Sequence, residues 1–176
     1  MTITAYGVQG NAAWDLYQKN ASVGETGLGL NGETNNEINP PSAQNAILLD
    51  LTNLVPIATS GTITLESLQS GEGAKVCTTA SLADGYALSP LTGCSGQVLE
   101  SGSTAIGSTT ISWSSSDPYL VFTTDNNSSA PNGNFLVSSL TANTSATPEP
   151  SSLILFGTAL LGLAVVARKF RNVKFK

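Results

Sequence analysis

The residues best suited to chemistry lie in one acidic, glycine-rich segment. Residues 26–41 read TGLGLNGETNNEINPP and place Glu33, Asn35 and Glu37 at alternate positions. Carboxylate and amide oxygens on a flexible loop suit Ca²⁺, but the spacing is not that of an EF-hand. Two interpretations stay open, a calcium site and a solvated loop of turn-forming residues, and the missing spacing favours the loop.

Cys77 and Cys94 are the two cysteines, and the chain has no histidine. Two thiolates alone do not complete a zinc site. In an oxidising compartment the pair is expected to form a disulfide, which would contribute about 3 kcal/mol by closing the loop between them. The alternative is two free thiols.

Missing residue types exclude several classes of enzyme. Without histidine there is no Ser-His-Asp or Cys-His pair. Residues 1–147 hold no arginine to clamp a phosphate or carboxylate, and no glycine-rich loop opens a helix as nucleotide binding requires. We predict no catalytic residues and a body without enzymatic activity. The alternative is a hydrolase built from two facing carboxylates.

Charge excludes another class of partner. Residues 1–147 contain eleven acidic residues against Lys19 and Lys75, a net charge of −9. No basic stripe is present to neutralise phosphates, so we expect no binding to nucleic acid.

Three aromatic residues could stack on sugars: Trp14, Tyr17 and Trp113. The competing interpretation makes them core or rim residues of a β-fold. Together with the acidic segment they support a second hypothesis, a calcium-assisted carbohydrate-binding module. No cofactor other than this Ca²⁺ is expected.

The elements that must position these residues are short strands between polar turns. Ile63 and Leu65 alternate with Thr62, Thr64 and Glu66, which indicates a half-buried strand. The predicted strands are Ala46–Leu51, Thr62–Leu68, Gly85–Leu88, Gln97–Leu99, Thr109–Trp113, Tyr119–Thr123 and Asn134–Leu140. Residues 12–19 could be a helical turn or a strand. This pattern predicts an all-β fold, an antiparallel β-sandwich of jelly-roll-like type.

The end of the chain differs from the body. Ser151 to Ala167 is an uncharged run of seventeen residues. As a helix it would extend about 25 Å, close to a hydrocarbon core of about 30 Å. The predicted transmembrane helix includes Leu153, Phe156, Gly157, Gly162 and Ala167.

A basic cluster follows the apolar run. It consists of Arg168, Lys169, Arg171, Lys174 and Lys176. Basic residues beside a membrane span stay on the cytoplasmic side, so the acidic body is expected on the other side. No signal peptide follows Met1, although export requires one. We expect that the N-terminus is truncated or that the true start lies upstream; the alternative is that the inference from the basic residues fails.

The tail closely resembles the PEP-CTERM protein-sorting signal, also labelled the ice-binding protein C-terminal domain. The resemblance rests on Pro148-Glu149-Pro150, the apolar run with Gly157 and Gly162, and the basic cluster. It implies a Gram-negative bacterium that makes exopolysaccharide, and an exosortase, a membrane-embedded transpeptidase-like enzyme, as the partner that cuts near the motif. The ice-binding label implies no activity, because the body has no regular Thr-x-Thr ladder beyond residues 62–64.

The resemblance completes the predicted organisation. Residues 1–140 form the extracytoplasmic sandwich, 141–147 a linker, and 148–176 the sorting signal. Pro148, Glu149 and Pro150 would be the recognition motif, and the basic cluster the cytoplasmic anchor before processing. The expected product is a protein of the cell surface or biofilm matrix, in contact with exopolysaccharide.

Overall fold

The computed structural model of the chain describes residues 2–20, 24–38, 45–88, 90–99, 101, 104–124, 134–144 and 158. The chain divides into two units, Met1–Thr144 and Ser145–Lys176. The first unit, called the body below, contains ten strands, one short α-helix and one 3₁₀ turn in the part of the chain described.

The ten strands form two five-stranded antiparallel sheets. Sheet A has the order β2-β1-β5-β9-β7, and sheet B has the order β3-β4-β10-β6-β8. The strands are β1 (Thr4–Gln9), β2 (Ala12–Trp14), β3 (Leu16–Lys19), β4 (Gly27–Leu30), β5 (Ala46–Asp50), β6 (Ala58–Glu66), β7 (Ala74–Thr79), β8 (Ile106–Ser112), β9 (Tyr119–Thr124) and β10 (Leu136–Thr144). The predicted all-β class with antiparallel sheets is confirmed.

The chain passes from one sheet to the other at nearly every connection. From β5 to β10, each strand belongs to the sheet opposite to that of the strand before it. The exceptions are two hairpins, β1–β2 and β3–β4. Gly10 and Asn11 both have positive φ at the first hairpin, as the favoured two-residue turn requires. Asp15 then separates β2 from β3, so the chain changes sheets at one residue.

One hydrophobic core joins the facing sides of the two sheets. Ile47 and Phe122 of sheet A and Ile63 and Leu65 of sheet B belong to it, and all four are fully buried. The alternation in β6 therefore has the expected cause, because Ile63 and Leu65 face the core whereas Thr62 and Thr64 face outward.

A second apolar cluster covers the outer side of sheet A. It contains Val8, Ala46, Leu48 and Val121, packed against residues of the helix α1 (Leu82–Ala87) and the turn after it. Strands β5 and β9 are apolar on both faces because both of their faces are covered.

Helix α1 replaces a strand that we predicted at Gly85–Leu88, and that prediction is wrong. The Ser81 hydroxyl accepts a hydrogen bond from the Asp84 backbone N–H at 3.1 Å, which caps the first turn. A Cβ at Gly85 would lie 2.2 Å from Leu48 Cδ2, so glycine allows the helix to approach sheet A closely.

Two further predictions concern the end of the body and the residues after it. Strand β10 runs to Thr144, which pairs with Ala58, so residues 141–144 are strand where we expected the linker to begin. Within the described ranges no helix is long and apolar enough to cross a membrane. The predicted span from Leu153 to Ala167 lies outside those ranges apart from Thr158.

Candidate functional site

The predicted sorting residues lie outside the described part of the chain. This applies to the motif Pro148, Glu149 and Pro150 and to the basic cluster. The structure does show that the body extends to Thr144, which is paired in sheet B four positions before Pro148.

The acidic segment does not present its three predicted calcium ligands together. Thr34–Asn36 form a 3₁₀ turn in which Asn35 adopts a positive φ of 59°. Glu33 accepts a hydrogen bond from the Gln9 side chain. Glu37 is buried, with 2% of its surface exposed, and its carboxylate is bound elsewhere. Across the described residues, no group of three or more His, Cys, Asp or Glu side chains could hold a metal ion.

The partner of Glu37 is Lys19, which sequence reasoning did not identify. Lys19 Nζ lies 2.9 Å from Glu37 Oε1 and 2.6 Å from Glu25 Oε2. The Ser67 hydroxyl lies 3.0 Å from a carboxylate oxygen of each glutamate. These four residues, called the Lys19 cluster, join the end of β3 to the segments before β4, after the 3₁₀ turn and after β6.

The pKa values of the Lys19 cluster follow from this geometry. Burial alone would lower the pKa of Lys19, but hydrogen bonds to Glu25 and Glu37 and the charges of both carboxylates raise it above the ordinary 10.5. The hydrogen bond from Lys19 lowers the pKa of Glu25 below 4.5, against the opposing effect of burial. The Glu25 carboxylate is therefore held ionised beside the Lys19 ammonium. An arrangement of two carboxylates bound to one ammonium suits cross-linking of loops better than acid–base catalysis.

Cys77 and Cys94 form a disulfide in the structure. Cys77 lies on β7, at the edge of sheet A, and Cys94 lies in an irregular stretch, residues 92–98, called the edge segment. The edge segment exchanges backbone hydrogen bonds with β7 at Thr78 and Thr92 and at Ala74 and Val98, each between 2.8 and 3.0 Å. The disulfide thus fastens a cover over an otherwise unpaired strand edge.

A cleft opens beside the edge segment, where β8 of sheet B comes to its end. Its volume is about 280 Å³, and Thr78, Thr92, Gly93, Ser112, Trp113, Ser114 and Asp117 line it. The Thr78 and Thr92 hydroxyls are 3.2 Å apart, and Thr92 Oγ1 lies 3.4 Å from Asp117 Oδ1. No sequence signal pointed to this cleft, because its lining comes from three separate stretches of chain.

The aromatic residues named as possible sugar contacts differ in exposure. Trp113 is buried, with 4% exposed, and its indole N–H donates to the Ala58 carbonyl at 2.8 Å. Trp14 and Tyr17 are 46% and 38% exposed. Trp14 donates from its indole N–H to the Asn31 carbonyl at 2.8 Å, which holds the exposed ring in place. Only these two aromatics of the three offer ring surface to a partner.

The outer side of sheet B carries small uncharged polar residues in register. Thr62 pairs with Thr141 on one side and Thr110 on the other, and the next row places Thr64 between Ser139 and Ser108. A third row adds Asn143, Ser60 and Ser112. These nine residues are called the hydroxyl face. These rows come from cross-strand register, and only the Thr-x-Thr of residues 62–64 is visible in the linear sequence.

Comparison with known proteins identifies the tail. The family model of the PEP-CTERM protein-sorting motif matches residues 146–169. The match confirms the resemblance noted in the sequence and begins two residues after the end of β10. No curated protein and no solved structure matches the chain.

Proposed function

Because the chain carries a PEP-CTERM protein-sorting motif at residues 146–169, we propose that it is an exported surface protein processed by an exosortase. The body is the delivered product, and the tail serves for sorting alone. The exosortase recognises Pro148, Glu149 and Pro150 and cuts the chain near them. This motif, placed directly after a folded β-domain, is the observation that carries the proposal.

Two properties of the body support delivery outside the cytoplasm. Its cysteines are paired in a disulfide, which persists in oxidising compartments. Its sequence is acidic while the basic residues gather at the other end of the chain. That asymmetry favours an orientation with the tail cytoplasmic and the body outside.

The tail acts as a temporary anchor in this proposal. Residues 153–167 hold the precursor in the membrane, and the five basic residues after Ala167 keep its end in the cytoplasm. A run of marginal length suffices because it need hold only until the exosortase acts. The mature body then joins the cell surface or the exopolysaccharide matrix of a Gram-negative bacterium.

The body has a structural or binding role, without enzymatic activity, in the proposal. Its acidic side chains support this, because Glu25 and Glu37 are bound to Lys19 and the cleft is lined by one carboxylate, that of Asp117. Hydrolysis of glycosides by the usual route needs two carboxylates flanking the substrate.

A second candidate function is carbohydrate binding at the surface of the body. The exposed rings of Trp14 and Tyr17, three residues apart, favour it. Calcium takes no part in this version, because Glu37 is bound to Lys19 and Ser67. A glycan array probed with the Trp14→Ala/Tyr17→Ala variant and with the unaltered protein checks this candidate, which is dropped if the two bind alike.

The sorting proposal is tested by changing the motif in an exosortase-competent host. We expect the Pro148→Ala/Glu149→Ala/Pro150→Ala variant to stay in the membrane fraction as the uncut precursor, while the unaltered protein leaves it. The matched control is Thr147→Ala/Ser151→Ala, which changes the residues on either side and should be processed normally. An antibody against the body follows both forms, and equal processing of the motif variant would contradict the proposal.

A further inference from the structure

We propose that the cleft lined by Thr78, Thr92, Gly93, Ser112, Trp113, Ser114 and Asp117 binds one ring of a neutral carbohydrate. The site lies wholly within the body and does not depend on how the protein is sorted. It also differs from the surface of Trp14 and Tyr17, which lie on β2 and β3.

The size of the cleft limits the ligand. A volume of about 280 Å³ lies just below the range of about 300–1,000 Å³ for small-molecule sites. The cleft therefore suits a single ring held at one end of a longer chain, or a free monosaccharide.

The polar groups of the lining match a polyol. Thr78, Thr92, Ser112 and Ser114 contribute hydroxyls, and each hydroxyl can both donate and accept a hydrogen bond. Sugar hydroxyls have the same dual character. The hydroxyls of Thr78, Thr92 and the carboxylate of Asp117 already form a connected line, at 3.2 and 3.4 Å, along which ligand hydroxyls can insert.

The charge of the lining selects neutral ligands. Asp117 is the one charged residue among the seven, and both ion pairs found in the described residues belong to Lys19 instead. A carboxylate without a cationic partner accepts strong hydrogen bonds from ligand hydroxyls. The same carboxylate repels acidic and phosphorylated sugars, since among the described residues no basic side chain lines the cleft to compensate.

The walls of the cleft are held in place before a ligand arrives. Thr78 and Gly93 are next in sequence to the two bonded cysteines, and Trp113 is fixed by its hydrogen bond to Ala58. Rigid walls reduce the entropy lost on binding. Ser112 also belongs to the hydroxyl face, so a glycan chain leaving the cleft would cross an uncharged polar surface.

Tryptophan fluorescence of the full chain tests the proposal. The chain contains two tryptophans, so the Trp14→Phe variant leaves Trp113 as the single indole reporter beside the cleft. The variant is kept in a detergent without a sugar headgroup and titrated with glucose, galactose, N-acetylglucosamine and glucuronate. We expect a saturable change with at least one neutral sugar, at a dissociation constant on the order of 1 mM, and none with glucuronate.

Matched substitutions locate the binding. Ser112→Tyr fills the cleft and should abolish the response, whereas Thr110→Tyr, two residues earlier on the same exposed side of β8, should leave it unchanged. Asp117→Asn should weaken binding by about tenfold, because hydrogen bonds to a charged acceptor are the stronger ones. Asp15→Asn removes an exposed carboxylate elsewhere and should have no effect.

Each possible result either supports the proposal or overturns it. Saturable binding of a neutral sugar that Ser112→Tyr removes and Thr110→Tyr retains supports the proposal. It is overturned by the absence of a saturable response to all three neutral sugars, by equal responses of the two tyrosine variants, or by glucuronate binding as tightly as the neutral sugars.

Discussion

The two sheets of the body differ in what covers them. Sheet A is closed: helix α1 packs on its outer side, and the edge segment with its disulfide covers β7. Sheet B is open in the described part of the chain: its outer side is the hydroxyl face, with every one of its nine residues exposed or half-buried. Strands β5 and β9 are accordingly apolar on both faces, whereas β6 and β8 are apolar on one.

This difference gives the two sheets different roles: sheet A contributes more to stability, and sheet B presents a polar surface. The closed sheet contributes two layers of apolar contacts and so should dominate the free energy of unfolding. The open sheet contributes one such layer and leaves an uncharged polar surface toward the surroundings. Its charged groups gather at one end, where Lys19 ends β3 and Glu66 ends β6. An exported protein that displays a surface would use sheet B for that purpose.

The largest expected effect comes from a substitution beneath helix α1, which covers the outer side of sheet A. Leu48 is fully buried against helix α1, so Leu48→Ala should lower the free energy of unfolding by about 3–4 kcal/mol through lost burial and the cavity left behind. Thr64→Ala on the hydroxyl face is the matched change, also on an interior strand, and should cost less than about 1 kcal/mol. Urea unfolding followed by circular dichroism measures both, and equal losses would remove the distinction between the sheets.

The next largest effect comes from removing the disulfide at the edge of sheet A. The Cys77→Ala/Cys94→Ala variant loses the constraint on the loop that the disulfide closes, and its free energy of unfolding should fall by about 3 kcal/mol. The same urea titration measures this loss. Unaltered protein treated with a reductant serves as control and should match the variant. A variant as stable as the oxidised protein would show that the hydrogen bonds of the edge segment suffice without the disulfide.

The smallest effect concerns the charged end of sheet B and depends on pH. The pKa of Glu25 is lowered in the folded protein, so the stabilisation from this group is present above pH 4.5 and is lost as pH falls through the folded pKa. Glu25→Gln should therefore cost about 1 kcal/mol or less at pH 7 and progressively less in acid. The difference in free energy of unfolding between the two proteins, measured from pH 7 down to pH 3, checks this. A difference that does not change with pH would contradict it.

Local patterns predicted part of this fold. The alternation in residues 62–66 and the apolar runs in β5 and β9 placed those strands correctly. Alternation follows from a strand with one buried face, and a continuous apolar run follows from a strand with two buried faces. The strand predicted at Gly85–Leu88 was wrong because the cap at Ser81 and the close approach of Gly85 to Leu48 outweigh strand preference. The order of strands could not be predicted, because pairs such as β5 with β9 join residues far apart in sequence.

The candidate sites likewise differ in whether the sequence predicted them. The sorting motif is a contiguous pattern, and sequence alone identified it. The Lys19 cluster was missed because Lys19 and Glu37 are eighteen residues apart, with no local rule that pairs them. The cleft and the hydroxyl face likewise depend on cross-strand register, which a linear reading does not contain. The single Thr-x-Thr at residues 62–64 was a visible trace of that face.

The intact mass of the mature protein tests the central claim most directly. The protein is recovered with its antibody from two hosts that differ only in the exosortase. We predict that the competent host yields a chain ending near Pro148-Glu149-Pro150, without the apolar run and basic cluster, and that the deficient host yields the tail intact. Recovery of the chain through Lys176 from both hosts would contradict exosortase-dependent sorting.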